Sequence, residues 1–243
     1  MPRALCFQCR FPQVVCLCQE LPERPIDSSV PVIIIQHPLE AKRTQRTDSL
    51  LLKCINNIKV IKSRKIPDEI SENTTNHIIN DSSDQKAFVV LLYPCSDSVS
   101  LTEFLKTRSV RRLLVLDGTW QLTKEMYKAS SSLCCVHLDL LPSYQGAFVI
   151  RKPPQKGWIS TAEAVASALD FIELGNVGPK VAVVNRVLAA YSAQQLRFTA
   201  RVKHNSEKRG YMPHLYDDLV QTTLNGSSHL TEVQPDHVDH IEI

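Results

Sequence analysis

The chain has 243 residues, 43% of them hydrophobic, with a net charge of +3 from 28 basic and 25 acidic residues. That length and composition allow one large α/β core and exclude general disorder. The charge is too small to identify a nucleic-acid partner by itself.

The basic residues are unevenly placed. They cluster at Lys42, Arg43 and Arg46, at Lys59 to Lys65, at Lys106 to Arg112, and at Arg197 to Arg209, with acidic residues gathered near the C-terminus. A basic surface with an acidic tail suits a phosphate-bearing partner, although ordinary solvated faces would give the same pattern. Met1 to Phe11 lack the apolar core of a secretory signal, and no apolar run approaches the roughly 18 residues of a membrane span. The expected location is therefore intracellular, cytoplasmic or nuclear, with no membrane association. In a reducing compartment the 8 cysteines are not expected to form a disulfide framework.

Residues 1–29 are rich in cysteine and proline. Cys6, Cys9, Cys16 and Cys18 place four thiols within 13 residues. Zinc takes four such ligands in a tetrahedron, and closely spaced pairs can each supply one edge. A segment this short cannot bury a core, so metal would supply its folding energy. Four thiolates leave no open position, which makes the role structural. The other reading is unligated thiols in a flexible arm. Cys54, Cys95, Cys134 and Cys135 lie in or beside apolar runs and read as buried small hydrophobes.

The run Val30 to Ile35 predicts a buried parallel strand ending at His37-Pro38. Residues 40–57 predict an amphipathic helix with a basic first half, and 62–86 an irregular polar stretch. Ala87 to Tyr93 predicts a second buried strand, stopped by Pro94. A short helix over 101–106 precedes a third strand, Arg112 to Leu116, which runs into Asp117-Gly118-Thr119-Trp120. A helix is expected over 121–130, and short strands over 136–140 and 147–150. Helices follow over 161–174, with Ser160 or Thr161 as N-cap, and over 180–201. The last 20 or so residues read as a disordered tail. Strands alternating with helices predict a mostly parallel sheet with helices on both faces. The expected division is a zinc-binding segment at 1–29, a catalytic domain at 30–220 and a tail at 221–243.

In parallel α/β sheets ligands bind beyond the carboxyl ends of strands. Three such ends carry unusual residues: Gln36 to Glu40, Leu92-Tyr93-Pro94, and Asp117 to Trp120. No glycine-rich dinucleotide or P-loop pattern is present. Asp117 reads either as a proton acceptor or orienting group, or as a turn or cap aspartate. Trp120 reads either as a stacking surface for a base or as core, and His37 is similarly open. Arg151-Lys152-Pro153-Pro154 forms a stiff basic loop before the helix that starts near Thr161, whose opening amides suit an anion.

Together these residues resemble a known family. Leu116-Asp117-Gly118-Thr119-Trp120 matches the Asp-X-Thr-Trp motif of the DTW-domain proteins, the tRNA-uridine aminocarboxypropyltransferases. The four cysteines, His37-Pro38-X-Glu40, Arg46-Thr47, Leu92-Tyr93-Pro94 and Ser160-Thr161-X-Glu163-Ala164 follow in the family's order, over roughly residues 6–200. Arg46-Thr47 is similar to the eukaryotic branch.

The resemblance implies a SPOUT-like fold with a knotted cofactor region, and S-adenosylmethionine as donor. The reaction it implies is transfer of the 3-amino-3-carboxypropyl group to N3 of uridine in tRNA, with release of 5′-methylthioadenosine. Asp117, Thr119 and Trp120 become the candidate catalytic residues. Tyr93, Pro94, Leu116, Ser160, Thr161 and Glu163 become candidates for the donor, with Glu163 assigned to its amino group. Arg43, Arg46, Arg151 and Lys152 become candidates for RNA phosphates. The competing readings are a methyltransferase of the same broad fold and a non-enzymatic, zinc-dependent RNA-binding protein.

Overall fold

The structure is a computed structural model. It describes residues 4–8, 12–43, 46–70, 87–130, 133–140, 146–148, 150 and 158–202. The sheet has six strands, with every adjacent pair parallel, and the apolar runs found in the sequence form its centre. The strands are β1 (Val32–Gln36), β2 (Ile58–Lys62), β3 (Ala87–Leu92), β4 (Val99–Ser100), β5 (Ser109–Asp117) and β6 (Cys135–His137). The order across the sheet is β2-β1-β5-β3-β6-β4.

The helices that pack against them are α1 (Asp48–Cys54), α2 (Leu101–Leu105), α3 (Trp120–Lys128), α4 (Thr161–Leu174) and α5 (Pro179–Val202). Strand side chains alternate between two cores, as the pleat requires. Val32, Ile34, Val90, Leu113 and Val115 pack with Leu51, Phe104, Val165, Leu169 and Leu188, so α1, α2, α4 and α5 cover one face. Ile35, Leu91, Leu114 and Leu116 pack with Ile66 and Met126, so α3 covers the other. Helices on both faces of a parallel sheet are as expected. No helix among the described residues is long and apolar enough to cross a membrane.

Four local expectations are corrected. The helix expected over 40–57 is confined to Asp48–Cys54. Its basic first half is a 3-10 turn at Glu40–Lys42, after which Arg43 is extended. Ile58–Lys62 is a strand that the sequence reading missed; it pairs with a neighbour only through β1, and an edge strand with a solvated side lacks a continuous apolar run. The two-residue β4 was too short to leave a pattern. The strand expected over 147–150 is absent at 147, 148 and 150. Side chains take the ladder groups there: Ala147 N–H donates to the Glu163 carboxylate, and Ala147 C=O accepts from Ser192 Oγ at 3.2 Å. The expected tail lies outside the described residues.

Asp170 ties α4 to α5. Its carboxylate accepts from the N–H groups of Gly178, Lys180 and Val181 and so satisfies donors at the start of α5. Gly175, at φ 71°, ends α4 in the left-handed region. Buried Lys180 pairs with Glu173, whose carboxylate also accepts from Ser28 Oγ and Ser29 N at 2.9 Å. The N-terminal segment is joined to the core here and at α5, where Gln194 Nε2 donates to Cys16 C=O at 2.9 Å and Arg186 to Glu20 C=O at 3.2 Å.

Candidate active site

β1 leads to β2 on one side, whereas β5 leads to β6 on the other. Adjacent strands whose onward connections diverge leave a crevice beyond their carboxyl ends. The last residues of these strands, Gln36 and Asp117, are register partners. The crevice is therefore floored by a glutamine and an aspartate.

Asp117 is buried, at 7% exposure. Its Oδ2 accepts from Gln36 Nε2 at 2.8 Å and its Oδ1 from Thr161 Oγ1 at 2.8 Å. The cap of α3 is Thr119, whose side chain accepts from Leu122 N–H at 3.3 Å. Asp117 is therefore not the cap of α3, and its carboxylate bonds Gln36 and Thr161. Burial raises the Asp117 pKa. The hydrogen bonds from Gln36 and Thr161 pull against that rise, while the charges of Asp48 and Glu40 add to it. Gly118 permits the close turn, since a Cβ there would meet Leu122 Cβ at 3.3 Å and His37 Cβ at 3.5 Å. His37 is buried; its N–H continues the ladder to Asp117 C=O at 2.8 Å, and its Nδ1 accepts from Leu39 N–H at 3.1 Å.

Trp120 opens α3 and is 37% exposed, so it is not core. Its ring centroid lies 3.7 Å from that of Trp158, with planes at 45°. Two indoles thus stand beside the Asp117 turn. Tyr93 stacks on Tyr127 at 4.7 Å and Pro94 is exposed, whereas Leu116 is a core side chain. The structure brings Asp117, Thr119, Trp120 and Thr161 to one rim. It does not expose Leu116.

Ser160 and Glu163 form a capping box at α4. Glu163 N–H donates to Ser160 Oγ at 3.4 Å, and Ser160 N–H to Glu163 Oε2 at 2.8 Å. Glu163 is 1% exposed, and its other oxygen holds Ala147 N–H. Burial raises its pKa against the hydrogen bonds from Ser160, Ala147 and Phe148. A carboxylate filled this way by backbone amides clamps the 146–148 segment. The N–H groups of Thr161 and Ala162, by contrast, have no acceptor among the described residues.

Arg43 Nε lies 3.1 Å from Glu40 Oε2, and Arg46 Nε 3.5 Å from Asp48 Oδ1. Both guanidinium groups remain partly open to solvent, at 43% and 29% side-chain exposure. Arg151 and Lys152 lie outside the described residues. The sequence reading marked the strand end beginning at Gln36 but gave no role to Gln36, Asp48 or Trp158. A polar side chain closing an otherwise apolar strand was the available signal for Gln36; nothing comparable marked the other two.

In the N-terminal segment the sulfurs of Cys6, Cys16 and Cys18 lie within 4.8 Å of one another, with Cys6 and Cys18 at 3.9 Å. Zinc–sulfur bonds of about 2.3 Å in a tetrahedron put sulfurs about 3.8 Å apart. Cys18 N–H donates to Cys16 Sγ at 3.4 Å. The trio could hold a metal; Cys9 lies outside the described residues.

The profile of the DTW domain matches residues 3–198. The chain belongs to the DTW-domain family. It is 31% identical over 210 residues to the Macaca fascicularis protein named tRNA-uridine aminocarboxypropyltransferase 2, an alignment covering 84% of this chain and 68% of that one. A Drosophila melanogaster protein of the same name is 32% identical over 178 residues, covering 70% of this chain and 67% of its own. An Arabidopsis thaliana DTW-domain relative named tRNA-uridine aminocarboxypropyltransferase A is 29% identical over 228 residues, covering 82% of each chain. No solved structure gives a significant match.

Proposed function

We propose that this chain transfers the 3-amino-3-carboxypropyl group of S-adenosylmethionine to N3 of a uridine in tRNA, with release of 5′-methylthioadenosine. The observation that carries the proposal is the 2.8 Å bond from Thr161 Oγ1 to Asp117 Oδ1. It puts a buried acid and the start of a 14-residue helix at one rim, in a chain whose relatives are named tRNA-uridine aminocarboxypropyltransferases.

The donor supplies an electrophilic carbon beside a sulfonium. The residues fit its amino-acid end, because the Thr161 and Ala162 amides open α4 without acceptors among the described residues and suit a carboxylate. Glu163 acts there by holding the helix start and residues 146–148 in place. Asp117 takes the proton that uridine N3 loses as the new N–C bond forms. Trp120 and Trp158 offer faces on which an unstacked base rests, since N3 of a paired uridine is inaccessible. Tyr93 and Pro94 line the β3 side, and Thr119 fixes the turn that carries Asp117 and Trp120. Arg43, Arg46, Arg151 and Lys152 take phosphates, and tRNA as substrate places the protein inside the cell.

The thiols of Cys6, Cys9, Cys16 and Cys18 would hold a structural zinc and stiffen the segment docked on α5. The knotted, SPOUT-like cofactor region is likewise part of the proposal and rests on the resemblance. The decisive test is nucleoside mass spectrometry of tRNA incubated with the protein and donor labelled in the aminocarboxypropyl moiety. Labelled 3-(3-amino-3-carboxypropyl)uridine with equimolar 5′-methylthioadenosine is expected. A methylated nucleoside instead, or no product, overturns the proposal.

A further inference from the structure

Behind Asp117 lies a chain of contacts that the reaction itself does not require. Gln36 Nε2 donates to Asp117 Oδ2 at 2.8 Å and to Asp48 Oδ2 at 3.0 Å. Only an amide NH₂ can serve two carboxylates at once, so the chemistry also fixes which way the Gln36 amide faces. Both of its hydrogens are used, and Gln36 is 1% exposed. Asp48, 5% exposed, meets Arg46 Nε through its other oxygen at 3.5 Å. Arg46 is anchored a second time, to Ala41 C=O at 2.9 Å, and keeps a solvent-facing part.

Two buried acids on one amide are costly unless something holds them. A core needing only packing would place apolar residues there. We propose that Gln36 and Asp48 are positioning residues that form a relay behind Asp117, so that phosphate contact at Arg46 is felt at Asp117. The inference rests on the reading of Asp117 as the base and Arg46 as a phosphate contact.

The physical content is electrostatic. Among the described residues the charged groups acting on Asp117 are Asp48, on α1, and Glu40, on the turn after β1. Arg46 offsets Asp48, and Arg43 offsets Glu40. When Arg46 turns part of its charge to a phosphate, Asp48 is less neutralised and Asp117 holds a proton more strongly. The base strengthens when RNA is in place. Before that, the arginines quiet the acids.

The test is the titration of the Asp117 side-chain carboxyl, followed by ¹³C NMR in the full chain and assigned by the resonance that Asp117→Asn removes. Asp48→Asn keeps the shape and removes the charge, and should lower the midpoint by about one pH unit. Gln36→Met removes a bond to the charged form and should raise it. Arg46→Gln should raise it in the wild-type background and less in the Asp48→Asn background. Unfractionated tRNA should raise the wild-type midpoint and leave the Arg46→Gln value in place. A midpoint unmoved by Asp48→Asn, or an equal effect of Arg46→Gln in both backgrounds, overturns the relay. Product analysis on the same samples keeps the two ideas apart. The expected shifts without product leave the relay standing and sink the reaction, and product without shifts does the reverse.

Discussion

Thr161 donates its hydroxyl hydrogen to Asp117 across 44 residues of sequence, at 2.8 Å. One partner ends a buried strand and the other opens a helix that covers the same sheet. The bond orients one carboxylate oxygen while Gln36 holds the other. An acid held at both oxygens has one direction left in which to meet a substrate proton, and positioning of that kind supplies much of an enzyme's rate.

Asp117→Asn should lower the rate of product formation by about 10²–10⁴-fold, the range of a positioned base. It should also raise the thermal midpoint at neutral pH. The folded-state pKa of Asp117 lies above the ordinary aspartate value of 3.8. Its stabilising contribution is therefore present below 3.8 and is lost as pH rises through the folded value, leaving a charged, costly group at pH 7. Scanning calorimetry and single-turnover kinetics on the same preparation check both outcomes. A fall in thermal midpoint would contradict the assignment. In wild type the rate should fall on the acid side with a midpoint raised above the ordinary aspartate value of 3.8, because the base must be ionised.

Glu163→Gln should destabilise the fold by about 1–3 kcal/mol. At least one of the backbone N–H groups now held by the carboxylate, from Ser160, Ala147 and Phe148, would face an NH₂ group that cannot accept. Chemical denaturation measures the loss. Hydrogen exchange at Ala147 should rise with it, whereas a variant as stable as wild type with that amide still protected would remove Glu163 from the clamp.

The Glu173–Lys180 pair should make stability fall in acid. Burial works against the Glu173 charge, but hydrogen bonds from Lys180, Ser28 and Ser29 outweigh it and lower the pKa below the ordinary 4.5. The stabilisation is complete above 4.5 and is lost as pH drops through the folded value. The two side chains are only 15% and 4% exposed, so Lys180→Met should cost about 3–5 kcal/mol at pH 7. That deficit should shrink as pH falls below 4.5, and urea melts across pH measure it. A deficit independent of pH would mean that packing alone is responsible.

The thiol cluster should bind one zinc per chain, with the metal lost in Cys16→Ser. Elemental analysis gives the content. Chelation should increase hydrogen exchange in residues 12–21 and on the facing part of α5, because Gln194 and Arg186 bond the carbonyls of Cys16 and Glu20. Metal-free protein with unchanged exchange would show that the segment folds without it.

The sequence by itself determined the layers and one corner of the site. Continuous apolar runs such as Val32 to Ile35 and Leu113 to Leu116, bounded by polar turns and spaced by helical patterns, signal parallel strands buried on both faces. Ser160 followed by Glu163 encodes a capping box within four residues, and the Asp-Gly-Thr-Trp turn carries its own helix cap in Thr119. Those are short-range relations, and periodicity records them. What tertiary structure alone decided is which residues share a hydrogen bond. Strand order placed Gln36 beside Asp117, although β2, β3 and β4 lie between them in the chain. Only that register could give the glutamine a second acid in Asp48, and only packing of α4 over the sheet could bring Thr161 to the first. The same packing filled the Glu163 carboxylate with backbone amides. Local pattern is silent on these pairings because they join segments whose separation in sequence the folding of the core erases.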